Sequence, residues 1–115
     1  SGGTKGIPEN YRKSILNNLK TNTKRLFVGS AGIETIMLAK NEIQFIFHGR
    51  VTPWDHSPMD LITKEAGGCV YMAINKSEFN IKSKGSILAA SNVQIWNKIR
   101  DLIIPSDNPY RKYKN

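Results

Sequence analysis

Trp54-Asp55-His56-Ser57-Pro58-Met59-Asp60-Leu61-Ile62-Thr63-Lys64-Glu65-Ala66-Gly67-Gly68 is the stretch on which the reading of this chain turns. A tryptophan that reads as a packing anchor precedes one carboxylate. Small and cap-forming residues follow, then a short helical pattern that ends in Ala-Gly-Gly. Asp55 is placed to cap a helix, because a carboxylate can accept the amide hydrogen bonds that a first turn leaves unpaired. Ser57 and Asp60 have the spacing of a capping box, and Pro58 suits a first turn. Met59, Ile62 and Ala66 share one helical face, and Gly67 is a natural stop. The spacing therefore predicts a helix over roughly Ser57 to Ala66, with His56 facing solvent and Glu65, late in the helix, structural, paired with a nearby backbone group or Arg50. Asp55 would sit where strand gives way to helix, beside the positive end of the helix dipole.

Working outward, Gly2 to Gly6 reads as loop or frayed strand. Pro8 opens a helix on which Tyr11, Ile15 and Leu19 lie one turn apart, ending at Thr21 to Thr23. Lys24 to Val28 reads as a short strand. Gly29-Ser30-Ala31-Gly32 is a strand-to-helix turn, followed by helical spacing to about Asn41. Ile43 to Phe47 is the next strand, bounded by His48-Gly49. Downstream, Cys69 to Met72 and Ile87 to Ala90 are strands, Asn75-Lys76 is a turn, and Phe79 to Ile81 can pair as an edge. Ser91 with Gln94 predicts a capping box for a last helix with Val93, Trp96, Ile99 and Ile103 inside, stopped by Pro105. Alternating strand and helix signals predict an α/β fold, with a mixed, mostly parallel sheet flanked by helices. Residues 1–105 form that domain, and 106–115 are expected to be a basic, flexible tail.

The chain has 115 residues, 39% apolar and 23% charged, enough for one compact domain with a core. Its net charge of +8 permits an anionic ligand or surface, although an AT-rich genome that favours Lys, Asn and Ile would give the same balance. One cysteine, Cys69, cannot form an internal disulfide, which points to a reducing, cytoplasmic setting. No apolar run is long enough to span a membrane, and no leader opens the chain.

Two junctions can carry chemistry. In open α/β sheets ligands gather beyond the carboxyl ends of strands. At Gly29-Ser30-Ala31-Gly32 small residues let a ligand approach backbone amides that can hold an anion, although a tight turn would look the same. At Asp55 a hard carboxylate oxygen suits magnesium, although a plain helix cap would look the same.

The stretch from Trp54-Asp55 to Glu65-Ala66-Gly67-Gly68 resembles the C-terminal signature of the inositol monophosphatase family, magnesium-dependent phosphatases of inositol and sugar phosphates. The likeness extends to Val28-Gly29-Ser30-Ala31 and to Ala89-Ala90-Ser91-Asn92, and covers roughly Lys24 to Ile103. It implies that Asp55 is a metal ligand that helps orient the attacking water, and that Gly29, Ser30 and Ala31 line the substrate site. His48 stands where animal members carry a Glu that hydrogen-bonds inositol hydroxyls. A contact with polyol or phosphate and a plain strand end both fit it. Met59 departs from the small residue usual at its position. The family's earlier carboxylate cluster, a Glu and an Asp-Pro-Ile-Asp-Gly-Thr run, has no counterpart in this sequence. The resemblance therefore implies the C-terminal half of a Mg2+-dependent phosphatase acting on a phosphorylated polyol or sugar. A missing N-terminal domain would supply most metal ligands, the intact protein would be a homodimer, and this chain alone would lack activity. The alternative is a small basic module that binds RNA or another anionic partner. Nucleic acid is disfavoured, because the aromatic residues fall at core-like positions rather than among the basic ones.

Overall fold

The computed structural model describes residues 2–3, 7–22, 31–108 and 110. Among these residues are four strands and four helices, in the order β1 (Gly2–Gly3), α1 (Glu9–Asn22), α2 (Ala31–Ala39), β2 (Phe45–His48), α3 (Pro53–Glu65), β3 (Cys69–Met72), β4 (Ile87–Ala90) and α4 (Val93–Ile103). The expected strand at Lys24 to Val28 lies outside the described residues.

The sheet order is β1-β2-β4-β3. β1 runs parallel to β2, while β4 is antiparallel to both β2 and β3. The α/β class is as expected, but a mostly parallel sheet is not what forms among the described residues. β2 and β3, joined through α3, do run in the same direction. β4 separates them, because the segment between β3 and β4 contains no helix and simply turns the chain back. Phe79 to Ile81 is likewise no strand; one isolated bridge joins Tyr71 to Glu78.

Strand periodicity then sorts the core into two layers. Phe45, Phe47, Leu88 and Ala90 face Ile15, Trp96, Ile99, Ile103 and Tyr110 on the α1/α4 side. Ile46, Val70, Met72, Ile87 and Ala89 face Leu38, Met59 and Phe79 on the α2/α3 side. β4 is buried along its whole length because helices cover both its faces. Trp96 donates its Nε1–H to the Leu88 carbonyl at 2.7 Å. Arg100, also buried, donates to the Ala73 and Ile74 carbonyls at 2.9 and 2.7 Å and so satisfies the loop after β3. Asn108 and Tyr110 are buried too, with the Tyr110 hydroxyl 3.3 Å from Ser86 Oγ. The tail expected from residue 106 is thus held to the body through Tyr110; residues 111–115 lie outside the described set.

Helix ends correct several expectations. α3 begins at Pro53, with Thr52 in extended backbone at the N-cap position and Asp55 inside the first turn. Pro58 is therefore interior, and Ser57 and Asp60 cap nothing. α4 is capped by Asn92, whose Oδ1 accepts from the Ile95 amide at 2.9 Å, rather than by Ser91 with Gln94. Val93 stays exposed. At the far end of α3 the amides of Gly67 and Gly68 reach back to the carbonyls of Lys64 and Thr63 at 3.0 and 2.9 Å. This is a Schellman closure, and it gives the two glycines different reasons. Gly67 has φ of +88°, which side chains resist. A Cβ on Gly68 would lie 2.6 Å from the Ala90 carbonyl and 2.7 Å from Thr63 Cγ2.

Candidate functional site

α2 precedes β2 and α3 follows it, and both helices pack on one face of the sheet, so their N-termini meet at the carboxyl end of β2. Two positive dipole ends converge there, as an anion site requires. The buried stripe of α3 is His56, Met59 and Thr63, not Met59, Ile62 and Ala66. His56 was expected in solvent and is only 3% exposed. Trp54 was expected to anchor the core and is 75% exposed.

This phase of the helix builds a polar cluster. His56 Nε2 lies 2.8 Å from His48 Nδ1, with the rings edge to face at 76°. His48 Nε2 lies 3.4 Å from Glu34 Oε2 on the first turn of α2. The Thr52 amide donates to His56 Nδ1 at 2.8 Å, and the Thr52 hydroxyl donates to Asp55 Oδ2 at 2.9 Å. Burial pushes the His56 imidazole below its ordinary value. His48 acts in the same direction, while the Thr52 carbonyl, 3.0 Å from Nδ1, and the charges of Asp55 and Glu34 oppose it.

Of the residues expected at the site, Asp55 is exposed on the first turn of α3, and His48, half-buried, ends β2. Ala31 opens α2 at the same end of the sheet. Gly29 and Ser30 lie outside the described residues. Glu65, expected to pair with backbone or Arg50, is exposed at the end of α3. Glu34, Thr52 and the inward position of His56 were not anticipated. Glu34 did leave a signal: it shares a helical stripe with Leu38, four residues on, and a carboxylate on a core-facing stripe needs a buried partner.

The described residues do not fit a complete magnesium site. No group of three or more His, Cys, Asp or Glu side chains among them converges on a point that could hold a metal ion. Asp55 offers one hard oxygen donor facing solvent. The cavity of about 10 Å3 lined by Leu38, Asn41, Thr63 and Ser91 lies at the opposite end of α2 and α3 and takes no part.

The profile of the inositol monophosphatase family matches residues 2–106. No curated protein sequence matches the chain. Among solved structures it is similar to SaIMPase-II with inositol monophosphate bound, with 21% identity and a TM-score of 0.69 over 87% of this chain and 39% of that one. It is similar to inositol monophosphatase-II of Staphylococcus aureus, with 19% identity and a TM-score of 0.74 over 97% and 44%. It is similar to the Thermotoga maritima IMPase, with 24% identity and a TM-score of 0.69 over 89% and 39%. The chain thus spans about two fifths of the length of these relatives. A profile match over nearly the whole chain, on a fold shared with these structures, makes it a member of the inositol monophosphatase family.

Proposed function

We propose that this chain is the C-terminal part of a magnesium-dependent phosphatase that hydrolyses inositol or sugar phosphate monoesters. The observation that carries the reading is the position of Asp55. Its carboxylate faces solvent on the first turn of α3, at the sheet end where α2 also begins. In this reading Asp55 supplies one oxygen to magnesium. Gly29, Ser30, Ala31 and His48 shape the alcohol side of the site, and the two helix N-termini favour the phosphate. Two-metal phosphoryl chemistry needs several carboxylates around ions about 3.5–4 Å apart. The rest would come from an N-terminal domain, with the intact protein a cytoplasmic homodimer. By itself the chain would be inactive. Inositol monophosphate bound to SaIMPase-II supports the substrate class.

Manganese, a paramagnetic stand-in for magnesium, tests the assignment. Titrated into the 115-residue chain, it should broaden the resonances of Asp55 and its neighbours first, and Asp55→Asn should abolish that selectivity. Equal broadening in the variant would remove Asp55 from the metal site. Phosphate release from inositol monophosphate by the purified chain with magnesium should stay at background, and rapid turnover would overturn the reading of an incomplete site.

A further inference from the structure

We propose that Thr52 donates in two directions, through its amide to His56 and on through His48 toward Glu34, and through its hydroxyl to Asp55, which makes the two histidines positioning residues for that carboxylate. The direction follows from the one proton that cannot move. The Thr52 backbone N–H points at His56 Nδ1 from 2.8 Å, so that nitrogen must present its lone pair. The Thr52 carbonyl is also 3.0 Å from it, but that oxygen already accepts the amides of His56 and Asp55 at 2.9 and 3.2 Å. A neutral His56 then carries its proton on Nε2, aimed at His48 Nδ1. A flipped ring would place carbon atoms at both 2.8 Å contacts, too close for either. His48 in turn accepts on Nδ1 and carries its proton on Nε2, directed at Glu34 Oε2. On the other side Thr52 donates separately, through its hydroxyl, to Asp55 Oδ2.

The arrangement has two consequences. In a common capping box the third helical residue accepts the N-cap amide. Here His56 takes that amide, which leaves the Asp55 carboxylate turned outward and held, among the described residues, by the Thr52 hydroxyl. And His48 Nδ1 is engaged by His56, while Nε2 faces Glu34 Oε2 at 3.4 Å. These contacts also tie the first turn of α2 to the first turn of α3.

Long-range proton–nitrogen spectra of the 115-residue chain, taken above the ordinary histidine range, read the tautomers directly. Both histidines should appear as the Nε2–H form, and an Nδ1–H form in either overturns the chain. Thr52→Val keeps the backbone amide and suits the extended backbone at that position (φ −131°, ψ 133°) while deleting the hydroxyl. It should shift the Asp55 carboxyl carbon and leave both tautomers unchanged, and Thr52→Ser should restore the shift. An Asp55 signal that ignores Thr52→Val overturns the last link. Glu34→Gln should move the His48 Nε2–H resonance with the circular dichroism unchanged, and an unmoved resonance overturns the first. The importance of the chain for phosphate chemistry rests on the role proposed for Asp55. If that role fails, manganese loses its selectivity while these spectra stay as expected, so the two failures are distinguishable.

Discussion

On the α1/α4 side of the sheet Trp96 is 2% exposed and donates its indole N–H to a strand carbonyl, whereas on the α2/α3 side Trp54 is 75% exposed and the buried groups include Glu34, Thr35, His56 and Thr63. Both faces bury apolar side chains, which stabilise in proportion to the area they remove from water. Both also bury polar groups, which cost free energy unless each finds a partner, but only the α2/α3 side gathers them where two helices begin. Meanwhile Ile33 and Ile36 on α2 and Leu61 and Ile62 on α3 stay exposed. The lesson is a division of labour: both faces hold the sheet together, and the second also holds a polar cluster where two helices begin.

Four measurements would break or sharpen that contrast. Trp96→Ala should lower unfolding free energy in urea by about 3–5 kcal/mol, the usual cost of emptying a large aromatic site. A loss below about 1 kcal/mol would mean that the α1/α4 face does little to hold the sheet together. Gly68→Ala should cost about 1–3 kcal/mol, because the added methyl meets the Ala90 carbonyl and Thr63 and one of them must shift. A neutral result would show that this end of α3 can yield.

The third measurement concerns pH. His56 is held below its reference value of 6.5, so the unfolded chain binds a proton that the folded chain refuses. Its contribution is fully present above about pH 6.5 and is lost as pH falls from there through the lower folded value. Urea midpoints should therefore decline over that window, and His56→Gln should flatten the decline. An unchanged slope would place the titrating group elsewhere. The smallest effect is expected for Trp54→Ala, within about 0.5 kcal/mol, because the ring rests mostly in water. A loss approaching that of Trp96 would erase the distinction between the two faces.

Much was legible before folding. The helix through Asp55, the strands at Cys69 and Ile87, and the paired glycines follow from local chemistry: apolar spacing, turn-forming residues and a left-handed backbone position that glycine tolerates. The inositol monophosphatase signature rests on the same local residues. What escaped was rotation. The stripe Met59, Ile62 and Ala66 and the stripe His56, Met59 and Thr63 share a residue, and their centres differ by roughly 60° about the helix axis. Apolarity alone favoured the first. The second is buried because His56 has His48 and Thr52 to bond, and those partners come from β2 and the loop after it.

By itself, then, the sequence determined the family, the α/β class and the place of the carboxylate at a helix start, because these depend on residues near one another in the chain. Only the tertiary structure decided that β4 inserts between β2 and β3, that one tryptophan goes in and the other out, and that Glu34 meets His48. Each of those outcomes depends on which distant groups can satisfy one another once water is excluded, and spacing along a chain carries no record of that.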